Sequence, residues 1–198
     1  MLRTITPPAG LPLALADAKS HLRVDSTDDD TYIGALIAVA TEMVEAATQR
    51  RLMPQTLEWV LQSWRAQLVL PVAPVQSVVS VTYVDTTNTP QTLDPSAYTV
   101  LTKANKVIVP AYGRIWPLLY WVAAEPVVVR FVAGYGATDG GSEANDAAAA
   151  VPPGLIHLIK LMVSFMYENR EPAVLGNTVP QKLPFFDTMV EPFRWECV

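Results

Sequence analysis

The sequence predicts an α+β protein, with helices at both ends of a run of antiparallel strands. Three observations predict it. Apolar residues recur at helical spacing between Tyr32 and Ala47, and again between Leu155 and Met166. From residue 55 to about 132 the period drops to two. Prolines 71, 74, 90, 95, 110, 117 and 126 punctuate that region. Proline has no N–H to give a ladder, so these residues mark strand ends, edges and turns. Strands that follow one another without intervening helices pair antiparallel, and flanking helices make the class α+β.

The elements follow in order. LALADAKSHLR sets Leu15, Ala18 and Leu22 at helical spacing, giving a short helix over about 13–23. DSTDDD then supplies caps and first-turn acids for a second helix over about 28–51. Its stripe is Tyr32, Ile33, Leu36, Ile37, Ala40, Met43, Val44 and Ala47, and Pro54 follows its end. The acidic run fails as a calcium loop: counted from Asp25 it needs Gly at 30 and Glu at 36, where Asp30 and Leu36 stand.

In the strand region Leu57, Trp59 and Leu61 alternate with Glu58, Val60 and Gln62, and Val79, Val81 and Tyr83 share one side. TTNTPQT is turn chemistry, and YTVLTKANKVIVP reads as a hairpin around Ala104 and Asn105. PVVVRFVAGYG closes the series. ATDGGSEANDAAAA reads as a flexible loop over about 136–151. Pro152 and Pro153 open a third helix over about 152–170, with Leu155, Ile156, Ile159, Met162, Val163 and Met166 inward, and Pro172 forbids its continuation. This gives one body over 1–171, then a linker and apolar C-terminal segment over 172–198.

Composition excludes several functions. The chain has 198 residues, 51% hydrophobic and 17% charged, enough for a packed core with apolar surface to spare. Its net charge of −5 and lack of a basic run argue against a nucleic-acid surface, which needs clustered Lys and Arg. A single cysteine, Cys197, rules out an internal disulfide and fits a reducing compartment. MLRTITPPAG lacks the apolar core of a signal peptide, and no stretch reaches the ~20 apolar residues of a membrane span. A soluble protein with no membrane contact is expected.

The glycines of VRFVAGYGATDGGSE invite a nucleotide-binding reading, and the spacing rejects it. A dinucleotide fingerprint from Gly134 and Gly136 needs glycine at 139, where Asp139 stands. A P-loop from Gly136 to Gly141 needs Lys and then Ser or Thr, but Ser142 and Glu143 follow. The next helical pattern begins only near Pro152, too far on to cradle an anion. A small nucleotide-binding enzyme using residues 134–141 is therefore the weaker alternative. The two histidines, His21 at a helix end and His157 among apolar residues, read as structural. Glu168 and Glu171 read as a solvated cluster at a helix end. With no His-x-x-x-His, paired cysteines or Gly-x-Ser-x-Gly, the sequence nominates no catalytic, cofactor or metal residues.

What it nominates is a sticky tail. Leu183, Phe185, Phe186, Met189, Val190, Phe193 and Trp195 crowd together after the linker VLGNTVPQKLP, with Arg194 placed for a flanking ion pair. One reading folds this segment onto its own core. The other docks it, with Phe185, Phe186, Phe193 and Trp195 as anchors, on another subunit or protein.

Taken in order, LALADAKSHLRVDSTDDDTYIGALIAVATEMVEAATQRRLMPQT, LPVAPVQSVVSVTYVD, FVAGYGAT and VPPGLIHLIKLMVSFMYENRE resemble the head–tail connector (adaptor) proteins of tailed bacteriophages, prophages and gene transfer agents. The resemblance spans residues 11–171. It implies an α+β subunit without catalysis that joins neighbouring copies, twelve in number, into a ring under the portal protein. Such a ring extends the DNA channel and seats the tail or a stopper; another neck or tail-completion protein is the alternative. The implied location is the virion neck, with the bacterial cytoplasm during assembly. Twelve copies would carry about −60 in charge, a lumen through which DNA passes without specific binding.

Overall fold

The computed structural model describes residues 1–102, 106–120, 122–136, 144–170 and 186–195. The α+β class holds. The chain forms two compact units: a sheet unit built mainly of Met1–Ala9 and Pro54–Gly134, and a helical unit of Gly10–Met53 and Tyr135–Glu196. A single body ending at 171 was expected. Both units are instead assembled from segments distant in sequence, which periodicity cannot connect.

The sheet unit contains β1 (Leu2–Thr6), β2 (Gln55–Leu61), β3 (Leu68–Val69), β4 (Val75–Val84), β5 (Pro90–Thr92), β6 (Tyr98–Thr102), β7 (Lys106–Pro110) and β8 (Val127–Ala133). Five strands run in the order β1-β2-β8-β4-β5 and three in the order β3-β7-β6, every pair antiparallel. The two sheets share a core of Leu57, Val81, Ile108, Val129 and Phe131, all fully buried. β6 and β7 pair as the predicted hairpin, while its turn at Ala104 and Asn105 lies outside the described residues.

Two details escaped the period-two reading. β1 went unpredicted because LRTIT is half-buried to exposed throughout and shows no alternation. In β4 a bulge between Val78 and Ser80 leaves Val79 without a partner opposite β8, so Val78 faces Phe131 and Val81 faces Val129. The extra residue shifts the alternation, and Val79, predicted to share a face with Val81, is 55% exposed.

The helical unit contains α1 (Leu15–Leu22), α2 (Asp30–Thr48), α3 (Ala144–Ala149), α4 (Pro153–Glu168) and α5 (Phe186–Val190), the last followed by a 3₁₀ turn over Glu191–Phe193. α1 and α2 end at Arg23 and Gln49 in the left-handed conformation, the usual way to stop a helix. Pro153 opens α4, where a missing N–H costs nothing. Ile33, Ile37, Ala40 and Val44 of α2 meet Leu155, Leu158, Ile159 and Val163 of α4 in one core. Met43 departs from its predicted place on that stripe and is 47% exposed. The segment 136–151, expected to be a flexible loop, carries α3, because its alanines are strong helix formers.

Candidate interaction surfaces

The C-terminal segment lies on its own helices where it is described. Val190 is fully buried in the helical core, and Phe186, Met189 and Phe193 pack half-buried against it. Backbone contacts fasten it further: Arg50 Nε donates to Phe193 O at 2.5 Å, and Trp195 N–H donates to Thr48 O at 2.8 Å. Phe193 also fits over Gly154, where an added Cβ would come within 2.9 Å of the ring. Arg194 is exposed and pairs with Glu191 at 3.4 Å. Leu183 and Phe185 lie outside the described residues. Val190 thus serves this subunit's core, and Phe186, Met189, Phe193 and Trp195 are half-buried beside it.

The second glycine of GYG has a packing role. Gly136 sits at φ +85°, and a Cβ there would come within 2.6 Å of the Ala147 backbone. It is a point where α3 crosses the chain closely, which only glycine permits. α3 also begins nearer the glycines than predicted, though Asp139, Ser142 and Glu143 lie outside the described residues. His21 and His157 are exposed and meet edge to face, with ring centroids 6.4 Å apart, so His157 is not sunk among apolar neighbours as expected. Among the described residues no group of three or more His, Cys, Asp or Glu could hold a metal, and no helix is long and apolar enough to cross a membrane.

Two charge clusters escaped sequence reasoning because their members are far apart in the chain. In the sheet unit Arg3, Glu58 and Arg130 stand directly opposite one another across β1, β2 and β8. Glu58 is buried and accepts from Arg3 Nε at 2.8 Å and from Arg130 Nη2 at 2.5 Å. Burial pushes its carboxyl up, but the arginine hydrogen bonds outweigh this and hold it below the usual range. Glu125 extends the ladder through Arg3 at 2.8 Å.

In the helical unit Asp29 accepts from Tyr167 Oη at 2.5 Å and from Arg170 Nη2 at 3.2 Å. Arg170 in turn lies 4.8 Å from the Tyr32 ring centroid and 4.9 Å from that of Tyr167. The Tyr167 hydrogen bond lowers the Asp29 pKa. DSTDDD was expected to supply caps and first-turn acids; Asp29 stands at the N-cap position but makes no side-chain capping bond, and ties the end of α4 to the start of α2 instead.

Among the described residues, the connection between β7 and β8 (111–120 and 122–126) exposes several large apolar side chains. Tyr112 is fully exposed, Ile115 is 91% exposed and Leu118 is 80% exposed, with Val122 close behind. Two indoles hold this loop in place. Trp116 stacks on Trp64 with centroids 4.6 Å apart and planes 7° from parallel. Trp116 Nε1 donates to Arg65 O at 2.7 Å, and Trp64 Nε1 donates to Pro117 O at 2.9 Å. Tyr120 N–H donates to Val84 O, pinning the loop to β4. These apolar side chains are displayed on a fixed frame, the arrangement expected of a contact surface.

Fold and surface together define an α+β protein that leaves large apolar side chains exposed. Residues 13–103 match the family model described as phage gp6-like head-tail connector protein, which bears out the resemblance read from the sequence. A comparison with curated proteins gave no match. Among solved structures the fold is similar to a chain from the neck of an empty GTA particle computed with C6 symmetry, at TM-score 0.76 and 23% identity, covering 100% of this chain and 97% of that one. It is also similar to a chain of the virion of a native gene transfer agent (GTA) particle, at TM-score 0.74 with the same identity and coverage. A third similar chain, from the neck of a native GTA particle computed with C12 symmetry, gives TM-score 0.71, again at 23% identity with 100% and 97% coverage.

Proposed function

We propose that this chain is a structural head–tail connector subunit. It forms a ring below the portal of a DNA-filled head, extends the DNA channel, and seats the tail or a stopper. The observation that carries this reading is whole-length likeness of fold to chains from the necks of GTA particles, joined to the family match over residues 13–103. The partners are the portal protein, neighbouring copies of itself in a ring of twelve, and a stopper or tail-completion protein. The net charge of −5 per chain supports passage of DNA without gripping it. The reading gives the chain no catalytic step and no cofactor.

Imaging of intact particles with a label on this chain tests the proposal. The expected result is label at the portal vertex; label on the capsid shell or tail tip alone overturns it. Within this reading Leu183, Phe185 and the outward sides of Phe186, Met189, Phe193, Arg194 and Trp195 contact the portal or a neighbouring subunit. Arg194→Glu in the full chain should leave the melting temperature unchanged and reduce incorporation into portal-bearing heads. Undiminished incorporation removes Arg194 from that interface.

A further inference from the structure

A ring closed by rotation joins two different patches of the same chain, one presented forward and one backward. Among the described residues, two exposed apolar patches are of matching character. The first is the indole-framed loop 111–126, with Tyr112, Ile115 and Leu118 outermost. Arg65 and Arg114 are exposed within this patch, and neither forms an ion pair among the described residues; Arg114 acts on Asp94 only at longer range. The patch is apolar with Arg65 and Arg114 on its fringe, while Glu125 at the far end of the loop is paired with Arg3.

The second is the outward face of α2. A helix on a solvated surface carries polar residues on its outer side. Here the exposed line runs Thr31, Ala35, Val39, Met43 and Ala46, and Val39 and Met43 are 44% and 47% exposed. Glu42 is the one exposed charge on this helix, and it makes no ion pair among the described residues. Gly34 adds to the case: a Cβ there would meet nothing within 4 Å, so no neighbour inside the subunit requires a glycine in this helix. α2 is therefore apolar on the side facing its own core and largely apolar on the side facing out, the pattern of a helix covered on both sides.

We infer that the loop 111–126 of one copy docks on the outer face of α2 of a second copy, with Arg114 meeting Glu42. The inference rests on the ring reading proposed above and names its contact. Small side chains on α2 let a bulky loop approach closely. The single negative charge on that face answers the positive fringe of the loop, and apolar surface is covered on both partners.

Sedimentation of the purified full-length chain tests it. Arg114→Glu or Glu42→Arg alone should weaken self-association about tenfold or more, and the two together should restore most of it. Both positions are exposed, so unchanged melting temperatures serve as the folding control. In a Cys197→Ser background, copies carrying Ile115→Cys mixed with copies carrying Val39→Cys should give a covalent dimer with a short bis-maleimide, and neither alone should. Self-association indifferent to both charge reversals, with no cross-link, overturns this contact and leaves the ring reading to be judged by particle imaging. A chain that stays monomeric to millimolar concentration also overturns it. So does a photo-cross-linker at residue 115 that captures the portal or a tail protein in assembled particles instead of residues 31–46 of a second copy.

Discussion

Two stretches rich in large apolar residues, 111–126 in the sheet unit and 186–195 in the helical unit, look alike in composition and behave in opposite ways. The C-terminal stretch is short and helical, and it lays Val190 into a fully buried position on its own subunit. The loop spends its two indole contacts, through Trp64 and Trp116, on holding its backbone still, and leaves Tyr112, Ile115 and Leu118 outside. Apolar content therefore does not say which stretch is for a partner. The deciding factor is whether the stretch finds an apolar recess within reach, as α5 does against α2 and α4, or only a flat rim to fasten to.

The sharpest way to break this contrast is to put a charge where it predicts full burial. Val190→Asp should destabilise the helical unit by about 4 kcal/mol in denaturant unfolding, because a buried carboxylate finds no partner there. A near-neutral result would return the whole segment to the partner-docking reading. Trp116→Ala removes half of the stack and its hydrogen bond to Arg65 O, and should cost about 2 kcal/mol while freeing the loop.

The contrast between the units extends to their buried acids. Glu58 has a folded-state pKa below its ordinary 4.5, so its contribution is present above about pH 4.5 and is lost as pH falls through the lowered value. Glu58→Gln should cost about 1–2 kcal/mol near neutrality and flatten the acid side of the stability profile. Glu45 of the helical unit runs the other way. Burial raises its pKa against the Leu52 N–H and Arg51, so its protonation adds stability as pH falls through the raised value. The smallest effect belongs to the loop tip: Leu118→Ser should change stability by less than about 0.5 kcal/mol, since the side chain is already in water.

The helices were legible because packing on one side writes a period into the chain. Ile33, Leu36, Ile37, Ala40 and Val44 all lie where the stripe of α2 put them, as do Leu155, Ile159, Met162 and Val163 on α4. The strand pairs of the middle region were legible for the same reason, until the bulge at Val79 inserted a residue that no local rule announces. Surfaces were far less legible. Tyr112, Ile115 and Leu118 look like core residues in a sequence, and what keeps them outside is a stack between residues 64 and 116. Glu58 looked like the outward partner of Leu57, and only pairing of β1 and β8 on either side shows two arginines enclosing it. The resemblance to head–tail connectors supplied a functional reading where the residues themselves offered no reaction centre.

The Trp64 and Trp116 pair also has an optical consequence. Two indoles stacked 4.6 Å apart couple their electronic transitions, so seating of the loop should alter the absorption and fluorescence of the tryptophan bands, and any in-plane twist between the rings adds a signed doublet to their circular dichroism. That signal vanishes if either ring leaves the stack. The chain thus carries its own unlabelled reporter of whether the loop is seated, readable in solution and again after the subunit has entered an assembly.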